Sequence, residues 1–282
     1  MEKKNKQGKK TKGEFRRLGN DVALASTSLF SGGGIGDVGI EWGVGVPVLA
    51  ACELVPSRAE LIRRNFPETK VFEGDIWKLA PRYVDFLREK LGGLRPWLVT
   101  LSPPCQGMSS NGAGRISAAI RSGQRPREDE RNRLILPGVD ILEQLRPDWF
   151  LLENVRRMEH TVIRNERNEP ENILALLARR LHPFGYTIRS AILDFRNYGV
   201  PHHRSRLITI GCRLPDIFEK VPSVEDVFFR EPTELHPVPT HGAEGLPPFV
   251  SLRDAIGHLT SLDAADNLAD SSDPYHRIPR WN

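Results

Sequence analysis

Cysteine is scarce in this sequence. Cys52, Cys105 and Cys212 are the only 3 among 282 residues, widely spaced and with no C-x-x-C pair. That excludes a disulfide framework and gives no zinc-ligand spacing, so reduced thiols and no bound metal are expected. Long apolar runs are also missing. No stretch reaches the roughly 18 residues that cross a bilayer, and the lysine-rich start lacks the apolar core of a secretory signal. There is no internal repeat, and neither charge sign dominates, with 40 Lys+Arg against 36 Asp+Glu. These absences predict a cytoplasmic protein without membrane contact. The mildly basic balance permits a polyanionic partner without requiring one.

What is present is an ordinary globular composition, 39% hydrophobic and 27% charged, enough for one large core or two modest ones. Residues 1–20 are lysine-rich without apolar periodicity and read as a flexible basic tail. Residues 21–213 alternate strand-like and helix-like segments, the pattern of an α/β domain. Residues 214–282 are proline-rich and irregular, with only VSLRDAIGHL reading as a helix. Within the α/β part, strand-like runs cover ALASTSLF, VPVLAACE, Lys70–Phe72, the run from Trp97, DWFLLENV, FGYTIRSAILDF and SRLITIGC. Helices are expected at Pro56–Asn65, Pro81–Leu91, Arg133–Leu145 and Ile173–Leu181. The short RNYGVPHHR connection predicts that the last two strands form an antiparallel pair at the sheet edge. Residues 156–172 read as a polar surface excursion.

Three stretches carry chemistry. The first is Gly34-Ile35-Gly36-Asp37-Val38-Gly39, a G-x-G-x-x-G turn between strand and helix, with Glu53 ending the next strand-like run. Such glycines admit close backbone approach, and a carboxylate there can accept hydrogen bonds from ribose hydroxyls. This pattern suits a nicotinamide dehydrogenase, a flavoprotein or an adenosylmethionine enzyme equally. Asp75, after the third strand, can accept from an adenine amine or cap a helix.

The second stretch is WLVTLSPPCQGMSSNG, an apolar run halted by Pro103 and Pro104. Two prolines fix φ and favour extended backbone before them, which leaves Cys105 just past a strand's carboxyl edge. In open α/β sheets ligands and chemistry collect at that edge. The loop that follows, Gly107 to about Glu130, carries Arg115, Arg121, Arg125 and Arg127 without an apolar pattern, which suggests phosphate contacts. The third is DWFLLENV, which brings Glu153 to another strand end. If the two strands are parallel neighbours, thiol and carboxylate share one rim. Arg204 and Arg206, two apart at a strand start, lie on one face and can fix an anionic or carbonyl group by forked hydrogen bonds.

The ordered set Phe30-Ser31-Gly32-Gly33-Gly34-Ile35-Gly36, Glu53, Gly74-Asp75-Ile76, Pro103-Pro104-Cys105-Gln106-Gly107, Glu153-Asn154-Val155 and Tyr198-Gly199-Val200-Pro201 leading to Arg204-x-Arg206 resembles the DNA (cytosine-5)-methyltransferase family. The resemblance implies a Rossmann-like, mostly parallel sheet of about seven strands with an antiparallel edge strand and helices on both faces. It implies S-adenosyl-L-methionine as methyl donor and a cytosine flipped out of double-stranded DNA as substrate. Cys105 would be the nucleophile, Glu153 the acid on the base, and Arg204 and Arg206 its positioners. Phe30, Ser31, Gly32, Gly34, Gly36, Glu53, Leu54, Asp75, Ile76, Pro103 and Leu134 would hold the cofactor. Gln106, Ser109 and the four loop arginines would contact DNA. The sequence departs from the family pattern at His202, Met108 and Leu54, where glutamine, phenylalanine and an aromatic residue are usual. Later family motifs are not found, so the chain is expected to be a catalytic portion, a split-enzyme subunit or a truncated chain. A complementary subunit would then carry target recognition. Two other readings remain: an RNA cytosine-5 methyltransferase, or a catalytically silent nucleic-acid-binding subunit.

Overall fold

The computed structural model describes residues 15–105, 130–214 and 227–259. They fall into two compact units, one running through Leu193 with Arg206–Pro237 added, the other made of Asp194–Ser205 with residues 238–259. In chain order the elements are β1 Arg16–Leu18, β2 Val22–Leu29, α1 Ile35–Val38, β3 Val48–Glu53, α2 Pro56–Asn65, β4 Lys70–Glu73, α3 Ile76–Leu91, β5 Arg95–Leu101, α4 Ile135–Leu145, β6 Trp149–Asn154, β7 Val162–Arg164, β8 Pro170–Asn172, α5 Ile173–Leu181, β9 Thr187–Asp194, β10 Ser205–Cys212, β11 Phe228–Phe229 and α6 Leu252–Ile256. No helix among the described residues is long and apolar enough to cross a membrane.

The larger unit is built on one sheet of nine strands in the order β11-β9-β10-β6-β5-β2-β3-β4, with β1 paired to β2. β4, β3, β2, β5 and β6 run parallel to one another, as does β11 to β9, while the short β1 is antiparallel to β2. β10 runs antiparallel to β6. All seven expected strands are present, and the short β1 and β11 raise the count. The antiparallel strand sits two places in from the edge, because β9 and β11 continue the sheet beyond β10. A buried hydroxyl pair, Ser190 Oγ to Thr209 Oγ1 at 2.7 Å, links β9 and β10.

Side-chain alternation along the strands separates two apolar layers. On β3 and β4, Ala50, Cys52 and Phe72 join the main core with Tyr83, Val84, Leu87 and Leu91 of α3, while Ala51 and Val71 pack with Ile62 of α2 and Phe66 just after it. Helices therefore cover both faces. The buried residues of α4 and α5, including Val139, Leu142, Leu174 and Leu177, lie in the main core.

Three elements differ from the sequence reading. α3 starts at Ile76 and keeps Pro81 inside it, because Asp75 caps the helix by accepting from the Trp77 amide at 3.0 Å. The glycine-rich segment yields only a four-residue α1, followed by a π-helical turn at Gly39–Val44. The polar excursion contains an antiparallel ribbon, β7 on β8. In the smaller unit, the Asn197 carbonyl accepts from the Thr240 and His241 amides at 2.8 and 3.0 Å, and α6 begins with a Ser251–Asp254 capping box.

A buried polar network lies at the carboxyl end of β2. The Tyr83 hydroxyl donates to the Ser28 carbonyl at 3.0 Å and contacts the Thr27 hydroxyl, while Thr27 Oγ1 donates to the Ala50 carbonyl at 2.8 Å. Ser28 Oγ donates to Asp37 Oδ2 at 3.1 Å. Asp37 is 3% exposed. Burial, with a smaller contribution from Glu41 and against the Ser28 hydrogen bond, pushes its carboxyl up to about 6.

Two stability predictions follow from these packings. Gly211 stands opposite Phe150 in the β10–β6 register, and any Cβ there would run into the Phe150 ring. Gly211→Ala is expected to lower unfolding stability by about 1–3 kcal/mol through overpacking, read from urea denaturation midpoints. Asp37 binds its proton more tightly folded than unfolded, so its contribution is greatest below about pH 4 and declines as pH rises to about 6, by about 3 kcal/mol in all. Asp37→Asn should remove that decline. Unchanged pH dependence in the variant's denaturation curves would refute the assignment.

Candidate active site at the carboxyl rim of the sheet

The chain reverses its winding between β2 and β5: β3 and β4 extend the sheet to one side of β2, β5 and β6 to the other. Such a switch point opens a crevice at the carboxyl ends of the strands. Four of the sequence motifs lie there.

On one side of the switch, Phe30 leaves β2 with φ 59°, a left-handed conformation that costs a bulky residue about 1–2 kcal/mol. Ser31 then donates its amide to the Cys52 carbonyl at 3.1 Å, which folds the loop back over β3. Gly34 is required twice over. It takes φ 79° at the start of α1, and a Cβ there would come within 2.9 Å of the Phe66 ring. Glu53, 5% exposed, uses both carboxylate oxygens, accepting from the Gly32 amide on Oε2 and the Val55 amide on Oε1, each at 2.8 Å. Strand tip and glycine loop are thus held as one piece. Gly36 and Leu54 are exposed beside them, as are Ile35 and Trp77. Asp75 serves as the α3 cap and Ile76 is buried. Leu134, partly buried, packs against the main core.

On the other side, β5 and β6 pair in parallel to Leu101 opposite Leu152, so Ser102 and Glu153 are the next residues along each strand. Cys105 is partly exposed and reduced. The Asn154 side chain, buried at 2% exposure, donates Nδ2 to the Pro103 carbonyl at 2.9 Å, while its Oδ1 accepts from the Val155 amide at 2.8 Å. The loop that carries the thiol is therefore fastened to the strand that carries the carboxylate. Asn154 belongs to a quoted motif but was given no role from sequence; an amide directly after the acid at a strand tip was the available signal.

Arg206 arrives from the opposite direction. In the antiparallel register Ile208 faces Glu153 and Leu207 faces Asn154, so the start of β10 lies at the end of β6. Arg206 Nε meets Glu153 Oε1 at 2.9 Å. Arg204 belongs to the smaller unit, where its carbonyl accepts from the Phe195 amide at 3.1 Å. In that unit Asp194 holds both Arg196 and His203 at 2.9 Å. Gln106, Met108, Ser109, Arg115, Arg121, Arg125 and Arg127 lie outside the described residues. Among the described residues no group of three or more His, Cys, Asp or Glu side chains could hold a metal ion.

The chain is 27% identical over 246 residues to the Type II methyltransferase M1.HphI of Haemophilus parahaemolyticus, covering 87% of this chain and 55% of that protein. It is 28% identical over 244 residues to M.AquIA of Picosynechococcus, covering 82% and 87% respectively. It spans about half of M1.HgaI of Avibacterium volantium as well, 49%, at 34% identity. A crystal structure of a prophage-encoded DNA modification methyltransferase of E. coli shares the fold, with a TM-score of 0.57, 22% identity and coverage of 85% of this chain and 56% of that one. The family model for C-5 cytosine-specific DNA methylases matches residues 24–247. That match runs through the whole rim described above, and the chain is a member of the C-5 cytosine-specific DNA methylase family.

Proposed function

We propose that this chain is the catalytic portion of a DNA cytosine-5 methyltransferase that uses S-adenosyl-L-methionine and attacks its base through Cys105. The observation that carries the reading is that the loop bearing Cys105 and the carboxylate of Glu153 follow the ends of two neighbouring parallel strands, with Asn154 tied to Pro103 and Arg206 on Glu153. Carbon 5 of cytosine is a weak nucleophile. Addition of the Cys105 thiolate to ring carbon 6 pushes electron density to carbon 5. Glu153 binds ring nitrogen 3, with a proton held between the two, and accepts from the exocyclic amine, which stabilises the charge that develops there. Arg206 keeps the Glu153 carboxyl in place and offers a donor to the base carbonyl. Once carbon 5 is methylated, loss of its proton and departure of the Cys105 thiolate restore the ring. The base reaches these groups only by leaving the stack, at a cost of a few kcal/mol.

The other half of the rim suits the cofactor, which supplies an electrophilic methyl group on a sulfonium when bound. Glu53 is anchored by amides and retains acceptor capacity for ribose hydroxyls. Exposed Leu54, Ile35 and Trp77 offer apolar surface for an adenine ring. Phe30, Ser31, Gly32, Gly34 and Gly36 line the loop beside them, with Asp75, Ile76, Pro103 and Leu134 completing the set proposed from sequence. Arg204 and the residues from Gln106 to Arg127 named above keep their proposed base- and DNA-contacting roles. A complementary subunit that carries target recognition is part of the proposal. In support, the chain spans 55% of M1.HphI, yet M.AquIA, covered over 87% of its length, is a protein of similar size.

The test is covalent trapping on duplex DNA containing 5-fluorocytosine, with S-adenosylmethionine present, using this chain alone and with the product of the adjacent reading frame. A denaturation-resistant adduct is expected with the parent and none with Cys105→Ser. Glu153→Gln should slow tritiated methyl transfer by about 10²–10³-fold. Parent-like adduct formation by Cys105→Ser would sink the assigned nucleophile, and transfer to tRNA in preference to DNA would move the substrate to RNA.

A further inference from the structure

The 3₁₀ turn Arg156–His160, which leaves the tip of β6, carries two cations that the mechanism does not use. Arg156 and Arg157 are exposed, and among the described residues neither guanidinium has a partner. Nearby arginines are committed: Arg164 to the Asn168 carbonyl, Arg179 to Glu171 and Glu166, Arg180 to Asp140 and Glu143. The acid on the same turn, Glu159, lies 3.1 Å from His160.

The turn is firmly built although its arginines have no partner among the described residues. Met158 beneath it is fully buried. Thr161 Oγ1 donates to the Arg157 carbonyl at 2.9 Å, Asn172 Nδ2 donates to the Glu159 carbonyl at 2.8 Å, and the Ile173 amide donates to the Thr161 carbonyl at 3.0 Å. Asn154, two residues before Arg156, is fastened to Pro103 of the loop that bears Cys105. Two guanidiniums without a partner among the described residues thus stand on a fixed platform next to Asn154, at the strand tip that bears Glu153. Planar guanidinium forks match phosphate oxygens, and contacts of that kind set register on a duplex without reading its sequence.

We propose that Arg156 and Arg157 grip backbone phosphates of duplex DNA beside the target base. The proposal rests on the reading of this rim as a DNA cytosine site. It places a clamp on the β6 side of the crevice, separate from the arginines of the loop after Cys105.

The experiment is the salt dependence of duplex affinity, from about 50 to about 200 mM, for the full chain and for the Arg156→Gln/Arg157→Gln double variant. Each neutralised phosphate contributes about 0.9 to the slope of log affinity against log salt, so loss of both contacts should make the slope shallower by about 1.8. The weakening should be equal for duplexes of unrelated sequence. The Arg156→Lys/Arg157→Lys variant keeps the charge and should keep most of the slope. Melting curves that match the parent's exclude a folding defect. A parent-like slope in the glutamine variant, or weakening confined to one sequence, overturns the clamp. A parent with no salt-dependent duplex binding overturns the reading of the site itself, so the two failures are distinguishable.

Discussion

Glu153 and Arg206 meet because one strand runs against its neighbours. In a purely parallel sheet every strand delivers its last residues to the carboxyl rim, and a side chain at a strand's start is carried to the far edge, some 3.3 Å per residue away. β10 inverts that rule. Antiparallel to β6, with Ile208 opposite Glu153, it lays its first residues against the last residues of its neighbour. The guanidinium at 2.9 Å from the carboxylate is the consequence. Register carries the same weight as direction, since a slip of one residue would turn Arg206 to the other face of the sheet.

The rest of the rim is organised to keep that meeting point still. Asn154 occupies the position where β6 stops pairing with β5, and its buried amide replaces the missing ladder contact by holding the Pro103 carbonyl. Prolines cannot donate to a ladder, so a loop opening on two of them needs a side-chain donor to fix it. Across the switch point, Glu53 does the equivalent work for the glycine loop, trading burial of its charge for two amide hydrogen bonds. Below both, Tyr83, Thr27, Ser28 and Asp37 satisfy one another at the end of β2. The two halves of the crevice are therefore preorganised from the same central strands, which suits a reaction that brings two ligands together.

Much of this was legible in the residues. The β3, β5 and β6 runs are largely apolar, as strands in the middle of a covered sheet must be, and the punctuation at Ser102-Pro103-Pro104 and Glu153-Asn154 marks where they stop. The misreadings have local causes. Proline suits a first helical turn, so the sequence alone starts the helix at Pro81, whereas α3 begins at Ile76 under the Asp75 cap. The ribbon β7–β8 has a polar sequence because its two short strands pair only with each other, leaving an exposed Val162 and a single buried Ile163 as the hydrophobic signal. β10 reads as an edge strand from its tight connection to β9, and nothing in its own residues reports that β6 lies on its other side.

What the sequence determined by itself was the list of chemical groups and the ends at which they sit, because strand boundaries are set by local backbone preferences of proline, glycine and apolar runs. Membership of the cytosine-5 methylase family followed from the order of those groups along the chain. Tertiary structure alone decided which strand tips are neighbours, that β10 lies against β6, and that Asn154 and Arg206 are the fastenings of the thiol loop and the carboxylate. Those contacts join residues 51 and 53 positions apart in sequence. Pairing at that range is selected by burial of the whole sheet rather than by any local signal, so it is written in the fold and not in the neighbourhood of either residue.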